Sequence, residues 1–437
     1  MIPLRERGGW RLATVLALVA LSAGCGSEAA ARRTSRVTLT TLLPASEKTF
    51  WEAVARAFER HHPEIRVDLV EGPESTDLRE DLYTASLLAR DPTFDLIYMD
   101  VTWTPKFAAA GWLLPLDEWF DARERARFLP AALAAGLYEG RLFRIPMRTD
   151  LGLLYYRSDW LAAAHRDPPR TFDELVRITR DLQAPPGRWG FVWQGKQYEG
   201  LVCNFIEVLE GHGGFWIDPA TRDVGLDRPE AIAAASFLVD CIGRDRISPP
   251  GVTTYQEEDS RRLFQDGRAV FLRSWPYVWQ LSQAEGSPLK GRVGVTAMVH
   301  TSSGRAAGAL GGWGLGVSRY SRHPAWAIEL VRFAATLEAQ RLFCSRSGFA
   351  PAVEAAYADP VLLTADPFLA RLRALHDHAV LRPPVPGYAL ASDILQRHLS
   401  AALSGAVPAD RAMRDAARET RLLLASAAPA GARTRAP

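Results

Sequence analysis

Between Val37 and Met99 the chain switches four times between extended and helical patterns, and this rhythm restricts the fold more than any other feature. Val37–Leu43 is rich in β-formers. Residues 50–60 set Phe50, Val54, Ala57 and Phe58 on one helical face, and Ile65–Val70 alternates as a strand does. Residues 77–89 carry Leu78, Leu82, Ala85 and Leu88 on one stripe, and Phe94–Met99 reads as a third strand. Such a βαβαβ order predicts an α/β layer with a largely parallel sheet. A second cycle starts near Arg144, with a strand over 151–157. Thr171-Phe-Asp-Glu174 is a capping box that opens a helix to about Gln183. Further helices are expected over 200–210, 228–242 and 257–265, and strands over 269–272 and 293–299. The remainder reads as mostly helical, over 324–336, 366–379, 389–404 and 409–425, with no short tandem repeat. For 437 residues, two α/β lobes are the natural solution. Ligands of open α/β sheets bind beyond the carboxyl ends of the strands, so facing lobes would share one cleft.

The first residues read as a targeting segment. Arg5, Arg7 and Arg11 precede an apolar run over 12–23, shorter than the ~20 residues a spanning helix needs. Leu21-Ser-Ala-Gly-Cys25 resembles a bacterial lipobox, which implies cleavage before Cys25 and a lipid on its sulfur. Residues 1–24 are then a lipoprotein signal peptide, and 25–36 a small, polar tether. The tail from Ser426, rich in Ala and Pro, is expected to fray. No later segment reads as a transmembrane helix. The mature protein is expected to be soluble and exported, held at the membrane by its lipid, facing the periplasm or the exterior. Cys203, Cys241 and Cys344 do not make a disulfide framework. A Cys203–Cys241 bridge is open to them, and buried thiols are the plainer reading.

Charge and motifs exclude several functions. Without Arg5, Glu6, Arg7 and Arg11 the chain carries 49 basic and 49 acidic residues, so no broad basic field exists for nucleic acid. There is no G-x-S-x-G elbow, no H-E-x-x-H, no P-loop and no G-x-G-x-x-G after a strand. His61-His62 and His376-x-His378 lack a matching Cys or carboxylate set, so neither a metal nor a cofactor is expected.

The 13 tryptophans are more informative. Trp51, Trp112, Trp119 and Trp326 lie on amphipathic helices and suit a core. Asp100-Val-Thr-Trp103 follows a strand, Arg148-Thr-Asp150 precedes Leu153-Leu-Tyr-Tyr156, Trp275-Pro-Tyr277 follows another strand, and Trp313 sits among glycines. Flat aromatic faces beside carboxylate acceptors suit a sugar, whose ring has C–H patches and whose hydroxyls need partners once water leaves. On composition alone, core and ligand-stacking readings of Trp275 and Trp313 stand level.

These residues carry a family resemblance. The chain resembles the extracellular solute-binding proteins (family 1) of ABC sugar importers, in the branch that binds trehalose, maltose and related α-glucosides. The resemblance runs from about Val37 to about Leu424, and its most specific stretch is Trp189-Gly-Phe-Val-Trp-Gln-Gly-Lys-Gln-Tyr-Glu-Gly-Leu-Val-Cys203. Phe107-x-x-x-Gly-Trp-Leu-x-Pro-Leu116, Gly152-Leu-Leu-Tyr-Tyr-Arg157, Ile247-Ser-Pro-Pro250, Trp275-Pro-Tyr-x-Trp279, Leu310-Gly-Gly-Trp313 and Arg382-Pro383 match in order. The resemblance implies a two-lobed periplasmic-binding-protein fold (class II, a venus flytrap). Lobe 1 would comprise 37–147 and 300–345, and lobe 2 would comprise 148–299 and 346–425. The implied sugar contacts are Glu47, Asp100, Asp150, Trp275, Tyr277, Gly312, Trp313 and Arg382. Asp100 and Asp150 would accept from hydroxyls, and Glu47 from an outer one. Trp275, Tyr277 and Trp313 would wall the rings, Gly312 would let backbone approach, and Arg382 would donate in a fork. Arg148 stands where relatives often have an aromatic residue, which makes one wall cationic, and Gly314-Leu-Gly316 also departs from some relatives. The implied partners are a disaccharide, the ABC permease and, through it, the ATPase, with this chain acting as a monomer.

Two rival classes remain at this point. A secreted glycoside hydrolase acting on α-glucosides uses paired carboxylates too, and an envelope lipoprotein would bind no sugar.

Overall fold

The computed structural model describes residues 36–183 and 186–426. Cys25, the signal peptide and the tail beyond Ser426 lie outside the described residues. No helix among the described residues is long and apolar enough to cross a membrane.

Val37–Pro44 and Ile65–Gly72 form a parallel pair joined by the helix Lys48–His61, which buries Trp51, Val54, Ala57 and Phe58. The strand Gly308–Val317 is the spine of a five-stranded sheet. It runs antiparallel to Ile145–Leu151 on one side and to Leu96–Asp100 on the other, with Ala379–Val380 parallel to its start. Ala350–Pro351 closes the far edge against Ile145–Leu151. A second sheet has four strands, in the order Val293–Thr296, Leu153–Arg157, Ala269–Ser274 and Trp189–Val192. Only the last pair is parallel. Both sheets are therefore mixed rather than largely parallel. The reason is the path: the chain builds the second sheet before re-entering the first at Gly308, so it returns from the opposite end.

Two cores follow from these sheets. One gathers residues from 39–151 and 313–372 together with one face of the second sheet, Leu153, Tyr155, Leu272 and Val295 among them, and the other lies within 154–307 and 380–417. Alternation along Leu153–Arg157 sends Leu153 and Tyr155 into the first core and Leu154 into the second, so the second sheet is covered on both faces. Ala350–Pro351, expected with the second lobe, pairs with the first sheet, while Phe368 stacks at 4.7 Å on Trp279, which follows a strand of the second. The change of sheet within 145–157 falls at Gly152, after Asp150 rather than before Arg148.

Three local expectations are corrected. The helix Thr76–Leu88 forms, but Leu78, Leu82 and Leu88 are 55%, 47% and 66% exposed. Its buried side carries Arg79, Tyr83 and Leu87. The Tyr83 hydroxyl donates to Leu42 O at 2.7 Å and accepts from Leu42 N at 3.0 Å. Sheet-edge backbone groups need partners, and the face that supplies them wins over the apolar stripe. The glycine-rich run around Trp313 is no loop: it lies within Gly308–Val317, a fully buried strand of ten residues. Of the tryptophans expected on helices in the core, Trp51 is helical and buried, but Trp119 lies in a turn and is 43% exposed. Cys203, Cys241 and Cys344 are buried free thiols. Burial pushes Cys203 up to about 12, which makes it a poor nucleophile.

Candidate ligand-binding site

Strand ends from both sheets meet at one cleft of about 870 Å³. Asp100 ends its strand, Arg148 and Asp150 share one face of Ile145–Leu151, and Gly312 and Trp313 come from the buried glycine-rich strand. Trp275 and Tyr277 follow Ala269–Ser274, and Arg382 follows Ala379–Val380. Seven of the eight expected contacts, with the wall residue Arg148, thus line one space.

Glu47 is the exception. It is 5% exposed and lies behind the wall, where it accepts from the Tyr98 hydroxyl at 2.7 Å and from Arg148 Nη2 at 3.0 Å. It is neither a solvated charge nor a lining group. A buried cation needs a counterion, and Glu47 supplies one. Arg148 also bridges to Asp150 and lies 3.9 Å above the Phe349 ring. The cationic wall is thereby held by two carboxylates and an aromatic face.

Trp313 is both core and lining. It is 7% exposed, packs at 5.1 Å from Tyr98 and 5.3 Å from Trp103, and carries the Arg79 guanidinium at 4.6 Å. Trp275 is half-buried, and the Arg273 guanidinium lies 4.1 Å from its ring. Its indole N–H donates to Glu257 at 3.4 Å, so the ring is fixed from beneath and at its edge. The Tyr277 hydroxyl donates to Glu258 at 3.1 Å.

Arg382 joins the two sides. It is 7% exposed, with Nη2 3.3 Å from Asp100 Oδ1 and Nη1 2.6 Å from Glu199 Oε1. Glu199 opens the helix Glu199–Gly211 of the second lobe and also accepts from Ser392 at 2.5 Å and from the Tyr388 hydroxyl. Asp100 Oδ1 further accepts from Thr102 N at 3.0 Å. Sequence reasoning passed over Glu199, Tyr198 and Glu257, which line the cleft too. The signal was present: Glu199 follows the carboxyl end of Trp189–Val192, the same position that singled out Asp100.

Gly312 has a φ of +126°, and a Cβ there would sit 2.5 Å from Arg148 O. Gly312→Ala is expected to cost about 2 kcal/mol of stability, from backbone strain and this clash. Urea unfolding checks it; a midpoint equal to that of the parent would contradict the account.

Burial pushes Asp150 up to about 6, against the pull of Arg148 and with the help of Glu47 and Asp100. Two carboxylates, Glu47 and Asp150, share the one Arg148 guanidinium, so Asp150 keeps its proton to a higher pH than an ordinary aspartate.

Comparison with known proteins agrees with this geometry. The family model for bacterial extracellular solute-binding protein matches residues 43–341. A probable ABC transporter-binding protein of Deinococcus radiodurans is 34% identical over 323 residues, covering 72% of this chain and 76% of the relative. A maltotriose-binding protein of Pyrococcus abyssi is 26% identical over 257 residues, covering 58% of this chain and 51% of that protein. Among solved structures, maltose-bound T. maritima MalE3 is 38% identical with a TM-score of 0.81, covering 89% of this chain and all of that one. The acarbose-binding GacH receptor of Streptomyces glaucescens, at 22% identity and a TM-score of 0.76, shares the fold, with 89% of this chain and 98% of that one covered. The chain belongs to the bacterial extracellular solute-binding proteins, as the solute-binding component of an ABC transporter and not as an enzyme.

Proposed function

We propose that the cleft captures an α-linked disaccharide, maltose or trehalose, and releases it unaltered to a membrane permease. The observation that carries this reading is the meeting of Asp100, Asp150, Trp275, Trp313 and Arg382, drawn from both lobes, at one cleft. Trp275 and Trp313 offer faces to sugar rings, while Asp150 and the free edge of Asp100 accept from vicinal hydroxyls. Nine carboxylates line the cleft against three cations, which favours a neutral sugar over an anionic one. The likeness to a maltose-bound structure and to a maltotriose-binding relative supports the α-glucoside class.

Sugar contacts to both lobes favour the closed state of a hinge whose crossings lie near Gly152, Gly308 and Val380. The chain works as a monomer, and Cys25 carries lipid that keeps it near the permease. More than one acyl chain is needed for stable anchoring.

Calorimetric titration with maltose and trehalose, alongside an assay for released glucose, tests the reading. Saturable binding without glucose is expected. Glucose released at enzyme-like rates, or no heat with either sugar, would overturn it.

The pH dependence provides a second check. If ionised Asp150 accepts the sugar hydroxyls, maltose affinity is flat above pH 7 and falls below about 6, by at most about tenfold per unit. Stability moves the other way. Between the ordinary carboxyl range and about 6 the fold holds more protons at Asp150 than the unfolded chain does, so acidifying through that window stabilises the fold through this group. Asp150→Asn should bind more weakly and lose the acid-side decline. A decline kept in that variant would assign it to another group.

A further inference from the structure

Three donors from two separate segments converge on one carboxylate at the cleft. Glu199 is the first residue of the helix Glu199–Gly211, and its side chain is 35% exposed. Its Oε1 accepts from Arg382 Nη1 at 2.6 Å and from the Tyr388 hydroxyl, and its Oε2 accepts from Ser392 Oγ at 2.5 Å. Gln396 Nε2 donates in turn to Ser392 Oγ at 3.0 Å. Tyr388, Ser392 and Gln396 share one helix, Tyr388–Leu403, and the Tyr388 ring packs 5.8 Å from Trp216 in the second core. Glu199 is thus fixed to the second lobe independently of the arginine. An acid in the first turn of a helix can serve merely as a favourable charge at the positive end of the dipole. A side chain in that role needs no partners, whereas both oxygens of Glu199 are engaged.

Arg382 stands where the two lobes join. It follows Ala379–Val380, which pairs with Gly308 and Ala309 of the first sheet, and it precedes Val385 and Tyr388 of the second core. Its contacts to the two sides are unequal. Toward the first sheet, Nη2 reaches Asp100 Oδ1 at 3.3 Å and Leu310 O at 3.5 Å; toward the second lobe, Nη1 reaches Glu199 at 2.6 Å. Its Nε has no partner among the described residues, so the guanidinium is oriented from its tips. Asp100 Oδ1 also accepts from Thr102 N at 3.0 Å and Thr102 Oγ1 at 2.9 Å, and no bond among the described residues engages Oδ2. With Glu199 neutral, Asp100 would be the one carboxylate left, among the described residues, within ion-pair reach of Arg382. Guanidinium groups prefer to fork onto both oxygens of a carboxylate. Such a fork would consume the acceptor and the donors that a sugar needs. We propose that Glu199 is a positioning residue, which holds Arg382 to the second lobe and off Asp100 so that both stay open to hydroxyls as the lobes close. Its effect on affinity rests on the sugar reading of the cleft; its effect on Arg382 does not.

A double-variant cycle on the purified chain, titrated with maltose by calorimetry, tests this role. Glu199→Gln keeps the shape and removes the charge, and it is expected to weaken maltose about tenfold. Arg382→Met is expected to weaken it further. Because Glu199 acts through Arg382, the double variant is expected to bind like Arg382→Met alone. Glu199→Asp, which keeps the charge on a shorter stem, is expected to recover part of the loss. In sugar-free crystals of Glu199→Gln, Arg382 is expected to fork onto Asp100. Losses that add in the double variant would overturn the proposal, by giving Glu199 a sugar contact of its own or a role in the fold alone. Arg382 left in place in the Glu199→Gln crystals would overturn it too. A parent chain that ignores maltose and trehalose, with Arg382 displaced in those crystals, would sink the sugar reading and leave the positioning role standing.

Discussion

Trp275→Ala is expected to weaken maltose binding about 30-fold, the equivalent of roughly 2 kcal/mol. Truncated aromatic anchors near the centre of an interface commonly reach this size because they lose both contact area and desolvation. Trp275 meets the conditions for such an anchor. The Arg273 guanidinium supports its ring at 4.1 Å, Glu257 holds the indole N–H at 3.4 Å, and its backbone carbonyl accepts from the Tyr155 hydroxyl at 2.8 Å. A ring fixed on these sides needs little ordering on binding, so most of the contact energy survives as affinity. Calorimetry on the folded variant measures the effect, and an unchanged Kd would remove Trp275 from the sugar site.

Glu207→Gln is expected to lower the unfolding free energy by about 3–5 kcal/mol, the usual cost of breaking a fully buried ion pair on one side. Glu207 and Arg273 are both 0% exposed and bonded in a fork, with Arg273 Nε 2.8 Å from Glu207 Oε2. Glu207 also accepts from Ala309 N at 3.0 Å, next to the point where the chain re-enters the first sheet. Gly152, at another crossing, leaves no room for a Cβ against the same carboxylate. One buried carboxylate therefore packs against two crossings and holds the arginine that supports Trp275. Urea denaturation gives the loss, and the double variant Glu207→Met with Arg273→Leu should recover part of it because no charge is left unpaired. Equal stability of the parent and Glu207→Gln would contradict this account. The single variant should also weaken maltose, since Trp275 then rests on an unpaired cation.

The site was legible where chemistry is local. Asp100 and Trp275 each follow a strand that hydrophobic patterning marks out, and the rule of carboxyl ends placed them toward a shared gap before any coordinates. Glu47 was misplaced because its sequence neighbourhood, a loop before a helix, is the same whether the carboxylate faces water or a buried arginine 101 residues away. Glu199 was passed over although the same rule pointed to it. The exposed leucines of Thr76–Leu88 show the limit of periodicity, which finds a helix without saying which side the sheet will claim.

By itself the sequence determined the α/β class, the caps and the approximate bounds of most helices, because each depends on residues a few positions apart. Only the tertiary structure decided that a run with five glycines becomes the central strand, that the sheets are mixed, and that Ala350–Pro351 pairs with the first sheet. Those outcomes depend on which strand arrives from which end and how closely backbones approach. Glycine offers no side-chain pattern to announce that approach, and space left beside a neighbouring strand exists only after the chain has closed around it.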